Sequence, residues 1–277
     1  MRPSEVLHRA TSYLERHGVD SPRTSAEVLL SRVLGTDRAG LYARNEGLTT
    51  VEARAFGRAL CQRCTGVPLQ HLTGAQSFRR LELMVRLGVF VPRPETEVLV
   101  DVALQAVPAA GPTVVVDVGT GTGAVALSLK HERAESEVWA TDLSADAVAL
   151  ARENADRLGL SVRFLGGDLL DPLPPELAGR VDVVVSNPPY VAPEDVDALP
   201  MEVRADPQLA LVGGTRVHRR LALDAPRWLR PGGALVMEIG DAQGDEVAGI
   251  LRGRGFREVR VTRDLAGRDR VVSGTLR

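Results

Sequence analysis

Between Val114 and Leu129 the chain reads VVVDVGTGTGAVALSL, and few folds can hold that string. Its first five residues are apolar at successive positions apart from Asp117, rather than at alternate ones. Such a strand is buried on both faces, which is the situation of a parallel sheet covered by helices on either side. The same succession recurs at EVWATD, VRFLGG, VDVVVS and ALVMEIG, with helical stretches such as SADAVALARENADRLG between them. From residue 92 to 277 this predicts an α/β, doubly wound, mostly parallel sheet. The tail, GFREVRVTRDLAGRDRVVSGTL, predicts two more strands joined by a loop and brings the sheet to seven.

Residues 1–75 differ. PSEVLHRATSYLERHG places Val6, Leu7, Ala10, Tyr13 and Leu14 on one helical face, with Pro3 near its start and Gly18 as its stop. TSAEVLLSRVLG offers Thr24 and Glu27 as a capping box and ends at Gly35, and Thr49 with Glu52 repeats the box ahead of a stop at Gly66. Three or four short amphipathic helices without a strand predict a small helical domain. Residues 76–91 alternate at period two, which predicts a β-hairpin linker between it and the domain at 92–277.

Apolar residues make up 44% of the chain and charged residues 25%, ordinary values for a globular protein. No apolar run approaches the roughly 20 residues that cross a bilayer, and the charged first residues lack the apolar stretch of a secretory signal. Two cysteines make no disulfide framework, so the expected compartment is the cytoplasm. The formal net charge is -2, and only the first 75 residues lean basic, with ten arginines against seven carboxylates. No membrane and no direct nucleic-acid partner are expected.

The loop after the first long strand holds Gly119, Gly121 and Gly123. Glycines let a backbone approach a ligand closely beyond the strand ends, although a tight turn with no ligand uses them too. The next strand ends at Asp142, about 20 residues on, where a carboxylate accepts both hydroxyls of an adenosine ribose. The third ends at GGDLL, placing Asp168 and Leu169 on the same rim. The glycines alternate and follow an acid, Asp117, which suits the ammonium of S-adenosylmethionine better than a dinucleotide's pyrophosphate.

At 186–190 the fourth strand stops in SNPPY. Pro188 and Pro189 have no N–H, so the turn offers carbonyl acceptors with little donor competition, and Asn187 adds an amide oxygen. Tyr190 supplies a flat face. An amide nitrogen is a poor nucleophile because its lone pair is delocalised into the carbonyl. Holding both its hydrogens in acceptors aims that lone pair at a methyl donor, and the rate then comes from positioning and electrostatics. No general base stands out. Asn-Pro also simply breaks strands, but that reading weakens at a strand end beside a glycine loop and Asp142.

NPPY with DVGTGTG upstream resembles the class I S-adenosylmethionine-dependent amino-group methyltransferases. PLQHLTG at 68–74, VPRPETEVLV at 91–100, ALPMEVRADPQLAL at 198–211, LRPGGALVMEIG at 229–240 and DLAGRDRVV at 264–272 narrow it. With them nearly the whole chain is similar to the PrmC/HemK family, protein-(glutamine-N5) methyltransferases that modify class I peptide chain release factors.

That resemblance implies that Gly119, Thr120, Gly121, Thr122, Gly123, Asp142, Asp168 and Leu169 bind the cofactor, with Asn187 touching both cofactor and substrate. It implies that Asn187, Pro188, Pro189 and Tyr190 hold the glutamine of the release factor's Gly-Gly-Gln loop, with Asn187, Pro188 and Tyr190 serving catalysis. The segment 93–97, Arg93 and Glu95 above all, would wall the site, and the helical domain would dock the partner. A monomer is expected. Two departures stand out: TRVHRRLAL follows Gly213-Gly214 where the family usually has a longer Asp-Gly-Leu segment, and Leu169 replaces a frequent aromatic.

Cys61 and Cys64 lie within a predicted helix without further ligands, and the five histidines show no ligand spacing, so no metal is expected. Glu238 could face the crevice or make a structural contact. Two other readings share the motif: a DNA or RNA exocyclic-amine (adenine N6) methyltransferase, and a protein that binds the cofactor without catalysis.

Overall fold

A computed structural model describes residues 2–109 and 111–277. The chain divides into two compact units, residues 1–75 with 200–205, and residues 76–199 with 206–277.

The first unit contains α1 (Pro3–Arg16), α2 (Pro22–Leu34), α3 (Arg38–Ala43), α4 (Thr50–Cys64) and α5 (Leu69–Thr73). Leu7, Ala10 and Leu14 of α1 are buried with Ala26, Leu29, Leu30, Leu41 and Phe56, while Val6 and Tyr13 pack at the margin. The box at Thr49–Glu52 forms, each side chain bonded to the other's backbone N–H. The one expected at Thr24–Glu27 does not: α2 begins at Pro22 with Ser21 as its cap. Glu27 instead accepts from Arg23 at 2.6 Å and Arg38 at 3.0 Å, and it is buried. A charged pair outcompetes a backbone cap where the carboxylate is drawn inward. Glu202, outside these helices in sequence, ion-pairs with the buried Arg63.

The second unit opens with a hairpin of β1 (Ala75–Phe78) and β2 (Leu81–Met84), then α6 (Glu97–Ala106), β3 (Val114–Val118), α7 (Ala124–Glu132), β4 (Glu137–Asp142), α8 (Ala145–Leu158), β5 (Arg163–Gly166) and β6 (Val181–Ser186). After α9 (Met201–Arg204), which belongs to the first unit, come α10 (Gln208–Leu211), α11 (Arg216–Trp228), β7 (Leu229–Glu238), α12 (Gly244–Gly253), β8 (Arg257–Arg263) and β9 (Asp269–Thr275). Beyond Met84 the alternating stretch has no further strand.

The seven strands are ordered β5-β4-β3-β6-β7-β9-β8, the first five parallel and β9 antiparallel to both its neighbours. Two apolar layers cover the sheet, one containing Leu99, Val115, Leu127, Val183 and Val236, the other Val116, Val184, Leu221, Trp228 and Met237. That explains why β3 and β6 are apolar at consecutive positions. Among the parallel strands chain order runs outward from β3 to β5 on one side and from β6 to β7 on the other, so the crevice beyond the ends of β3 and β6 is the switch point of the sheet. Val118 and Ser186 pair in register there, and Ser186 Oγ donates to the Val118 carbonyl at 2.8 Å. No helix among the described residues is long and apolar enough to cross a membrane.

Candidate active site at the switch point of the sheet

The loop after β3 holds Gly119, Gly121 and Gly123 at φ of 75, 57 and 85°, which only glycine adopts without strain. Four of the five amides from 119 to 123 are already committed. Gly119 and Thr120 donate to the Thr141 carbonyl at 2.8 and 3.0 Å, Gly121 to Asp142 Oδ2 at 2.8 Å and Gly123 to the Thr120 carbonyl at 2.8 Å. A loop that cradles pyrophosphate needs those N–H groups free. This one is built for a ligand that wants shape and an acceptor.

Asp142 supplies the acceptor. Its Oδ2 takes the Gly121 N–H and its Oδ1 the Ser144 N–H at 2.8 Å, which fixes the carboxylate and leaves each oxygen a further lone pair, as a vicinal diol requires. Burial pushes its carboxyl up, against the N–H groups of Ser144, Gly121 and Leu143. A Cβ at Gly121 would meet nothing within 4 Å, so the space over the loop is open, and Leu143 beside Asp142 exposes 58% of its surface. Diol acceptor, apolar neighbour and spent amides together fit the nucleoside of S-adenosylmethionine.

Asp117 braces the loop from below. It is buried, and its Oδ2 accepts from Thr120 Oγ1 at 2.7 Å and from the Ala126 N–H at 3.2 Å, bracing the loop against α7. Burial raises its carboxyl to about 7. A folded-state value above the unfolded one means that folding takes up a proton, so stability falls as pH rises from about 4 to 7. Relative to the wild type, Asp117→Asn should therefore gain about 3 kcal/mol between pH 5 and pH 8. Urea denaturation at the two pH values measures this, and equal gains at both would contradict it.

Thr120 spends its hydroxyl on Asp117, and Thr122 is buried with its carbonyl held by Asn154 Nδ2 at 3.0 Å. Asn154 on α8 also bonds both backbone groups of Met84, so one buried amide ties the loop to the hairpin. Asp168 is half-buried and accepts from Arg220 Nη1 at 2.8 Å. Leu169 has φ 47°, in the left-handed region, and its carbonyl accepts from the buried Thr141 hydroxyl at 2.7 Å. Backbone strain of that kind costs about 1–2 kcal/mol and clusters at ligand sites.

Across the crevice lies the turn after β6. A Cβ on Gly119 would sit 3.9 Å from the Asn187 carbonyl, so the two loops are neighbours. Asn187 Nδ2 donates to Thr96 Oγ1 at 3.2 Å. Neither Asn187 Oδ1 nor the Pro188 carbonyl has a partner among the described residues. The Pro189 carbonyl lies against Gly213. The Tyr190 carbonyl accepts from Gln243 Nε2 at 2.9 Å, and its hydroxyl points to Glu238 Oε1 at 3.5 Å. Burial raises the Tyr190 phenol well above its ordinary value and Glu238 to about 7. The departure after Gly214 is absorbed locally: the Gly213 and Gly214 N–H groups both reach the Val191 carbonyl, and α11 begins two residues on.

In the 93–97 segment Arg93 ion-pairs with Asp206 and lies 5.5 Å from the Phe90 ring centre, while Glu95 is exposed. The contact with Asn187 is made by Thr96, which the sequence reading did not single out. No local signal marks it, because its partner is 91 residues away.

Comparison with known proteins shows the family. The model of the PrmC N-terminal domain matches residues 5–74, and that of the methyltransferase small domain matches residues 83–204. The release factor glutamine methyltransferase of Moorella thermoacetica is 41% identical over 273 residues, covering 96% of this chain and 95% of that protein. The one from Deinococcus radiodurans is 42% identical over 277 residues, 98% of each. A methyltransferase of Pyrococcus furiosus, 18% identical, shares the fold with a TM-score of 0.52 over 70% of this chain and 87% of that one. The chain belongs to the release factor glutamine methyltransferase family.

Proposed function

We propose that the protein transfers a methyl group from S-adenosylmethionine to the side-chain amide nitrogen of the glutamine in the Gly-Gly-Gln motif of class I release factors. The observation that carries this is the pair of unpartnered acceptors, Asn187 Oδ1 and the Pro188 carbonyl, at a switch-point crevice whose other wall is a glycine loop and Asp142. When bound, S-adenosylmethionine supplies an electrophilic methyl carried on a sulfonium. Asp142 would hold its ribose, and the strand-end residues Gly119, Asp168 and Leu169 would line the rest of the cofactor.

The turn does the remaining work. A primary amide presents two N–H groups, and the two acceptors take one each, which orients the nitrogen lone pair. Prolines at 188 and 189 keep competing donors away. As the N–C bond forms the S–CH3 bond would break, its electron pair leaving on the neutral thioether, and the nitrogen, now strongly acidic, would give its proton to solvent, so the chemistry needs no dedicated base. We assign docking of the release factor to the helical unit and the reaction to the sheet unit.

Labelled S-adenosylmethionine, purified protein and a release factor provide the test, with the modified peptide located by mass spectrometry. Label on the glutamine supports the reading; label on DNA or rRNA, or binding without transfer, overturns it. Asp142→Ala should raise the cofactor Kd by roughly 10- to 100-fold, the value of hydrogen bonds to a charged acceptor. Titration calorimetry checks it, and an unchanged Kd would remove Asp142 from the site.

A further inference from the structure

Thr96 ends the short turn Pro94–Thr96 and is 2% exposed. Its hydroxyl can donate one hydrogen bond and accept two. It accepts from Asn187 Nδ2, so its own proton must go elsewhere. The carboxyl of Glu238, at the end of β7, lies near enough to Thr96 for the hydroxyl to hold its acidity against burial. Glu238 is buried, and its Oε2 has no hydrogen-bond partner among the described residues. A buried acceptor left open is costly and calls for a donor.

The polarity of this chain matters for Asn187. If Thr96 donated to Asn187, the amide would be held the other way round, with Oδ1 inward and its NH2 toward the crevice. A substrate amide would then meet a donor where it needs an acceptor. We propose that Thr96 and Glu238 are positioning residues: Glu238 takes the Thr96 proton, Thr96 is thereby left as an acceptor, and the Asn187 amide is locked with Oδ1 facing the substrate glutamine. The inference deepens the functional reading above and rests on it.

A purely structural role for the pair would not move the readouts chosen. Thr96→Val keeps the shape and removes the hydroxyl. It should lower kcat roughly 10- to 100-fold, as misplacement of a substrate-holding group does, while KM for the release factor stays within about threefold. Thr96→Ser should restore most of the loss.

The pH profile adds a second handle. The groups facing the Glu238 carboxyl are Thr96, Tyr190, Arg270 and Glu95, and His218 contacts its backbone carbonyl at 2.8 Å. Its carboxyl is raised to about 7 by burial, so below that pH it is neutral and can itself donate to Thr96. The wild type should lose kcat as pH falls through about 7, and Thr96→Val should lack that limb.

A third readout is independent of turnover. In the free protein, one side-chain NH2 proton of Asn187 should be protected from exchange in the wild type and in Thr96→Ser, and unprotected in Thr96→Val. Wild-type kcat in Thr96→Val, an intact acid limb in that variant, or an Asn187 amide unprotected in the wild type would each overturn the proposal. A protected amide in a protein that methylates no release factor glutamine would instead overturn the functional reading and leave the polarity chain standing.

Discussion

Asn187→Ala should lower methyl transfer to a release factor by roughly 10²- to 10³-fold, the cost of deleting one preorganised partner of the reacting group. The side chain gives the site one of its two open acceptors, so its loss leaves the substrate amide held by the Pro188 carbonyl alone. With a single acceptor the nitrogen rotates about its C–N axis and its lone pair no longer tracks the methyl. The fold should survive, because Asn187 is half-buried and its one hydrogen bond, to Thr96, is long at 3.2 Å. Cofactor affinity should fall by no more than the loss of one contact, since Asp142 and the glycine loop are untouched. Single-turnover kinetics with labelled cofactor separate the effects: a slow methyl step at saturating cofactor is expected. A methyl step within threefold of wild type would remove Asn187 from its role.

Much of this site was legible because it is built from strand ends, and strands buried on both faces announce themselves. VVVDV and VDVVV each run straight into their loops, so the glycines, Asp142 and the NPPY turn could be placed on one rim before any coordinate was known. What stayed hidden were contacts between distant segments. Thr96 and Asn187, or Asn154 and the Thr122 carbonyl, meet only when helices fold back over the sheet. Asp117 was legible only in part: its place in the motif suggested a ligand, and its second task, holding the Ala126 amide of the helix that follows, had no mark in the sequence. Two boxes of the same pattern behaved differently for a similar reason. Glu52 is half-buried, pairs with Arg44 at 3.1 Å and still reaches the Thr49 N–H, whereas Glu27 is drawn further inward by Arg23, Arg38 and Tyr42.

Gly213→Ala should be nearly as damaging as loss of Asn187, although residue 213 contributes no atom to the chemistry. A Cβ there would lie 2.2 Å from the Pro189 carbonyl oxygen and 3.1 Å from its carbon. Non-bonded carbon and oxygen do not approach closer than about 3 Å, so one partner has to move by about 1 Å. The segment around Gly213 cannot yield easily: its N–H and that of Gly214 both bond the Val191 carbonyl, and Val191 pairs with Val212. The displacement therefore passes to Pro189 and Pro188, whose rings leave little torsional freedom to absorb it. A shift of that size in a substrate-holding turn costs roughly 100-fold in rate, and the forced packing about 1–3 kcal/mol in stability. Gly214→Ala is the control. Gly214 has φ 52° with nothing within 4 Å of the added Cβ, so that change strains the backbone by about 1 kcal/mol but pushes on nothing. Both variants should lose some melting temperature, and only Gly213→Ala should lose methyl transfer. Equal activity in the two would show that the turn is not held by the contact at residue 213.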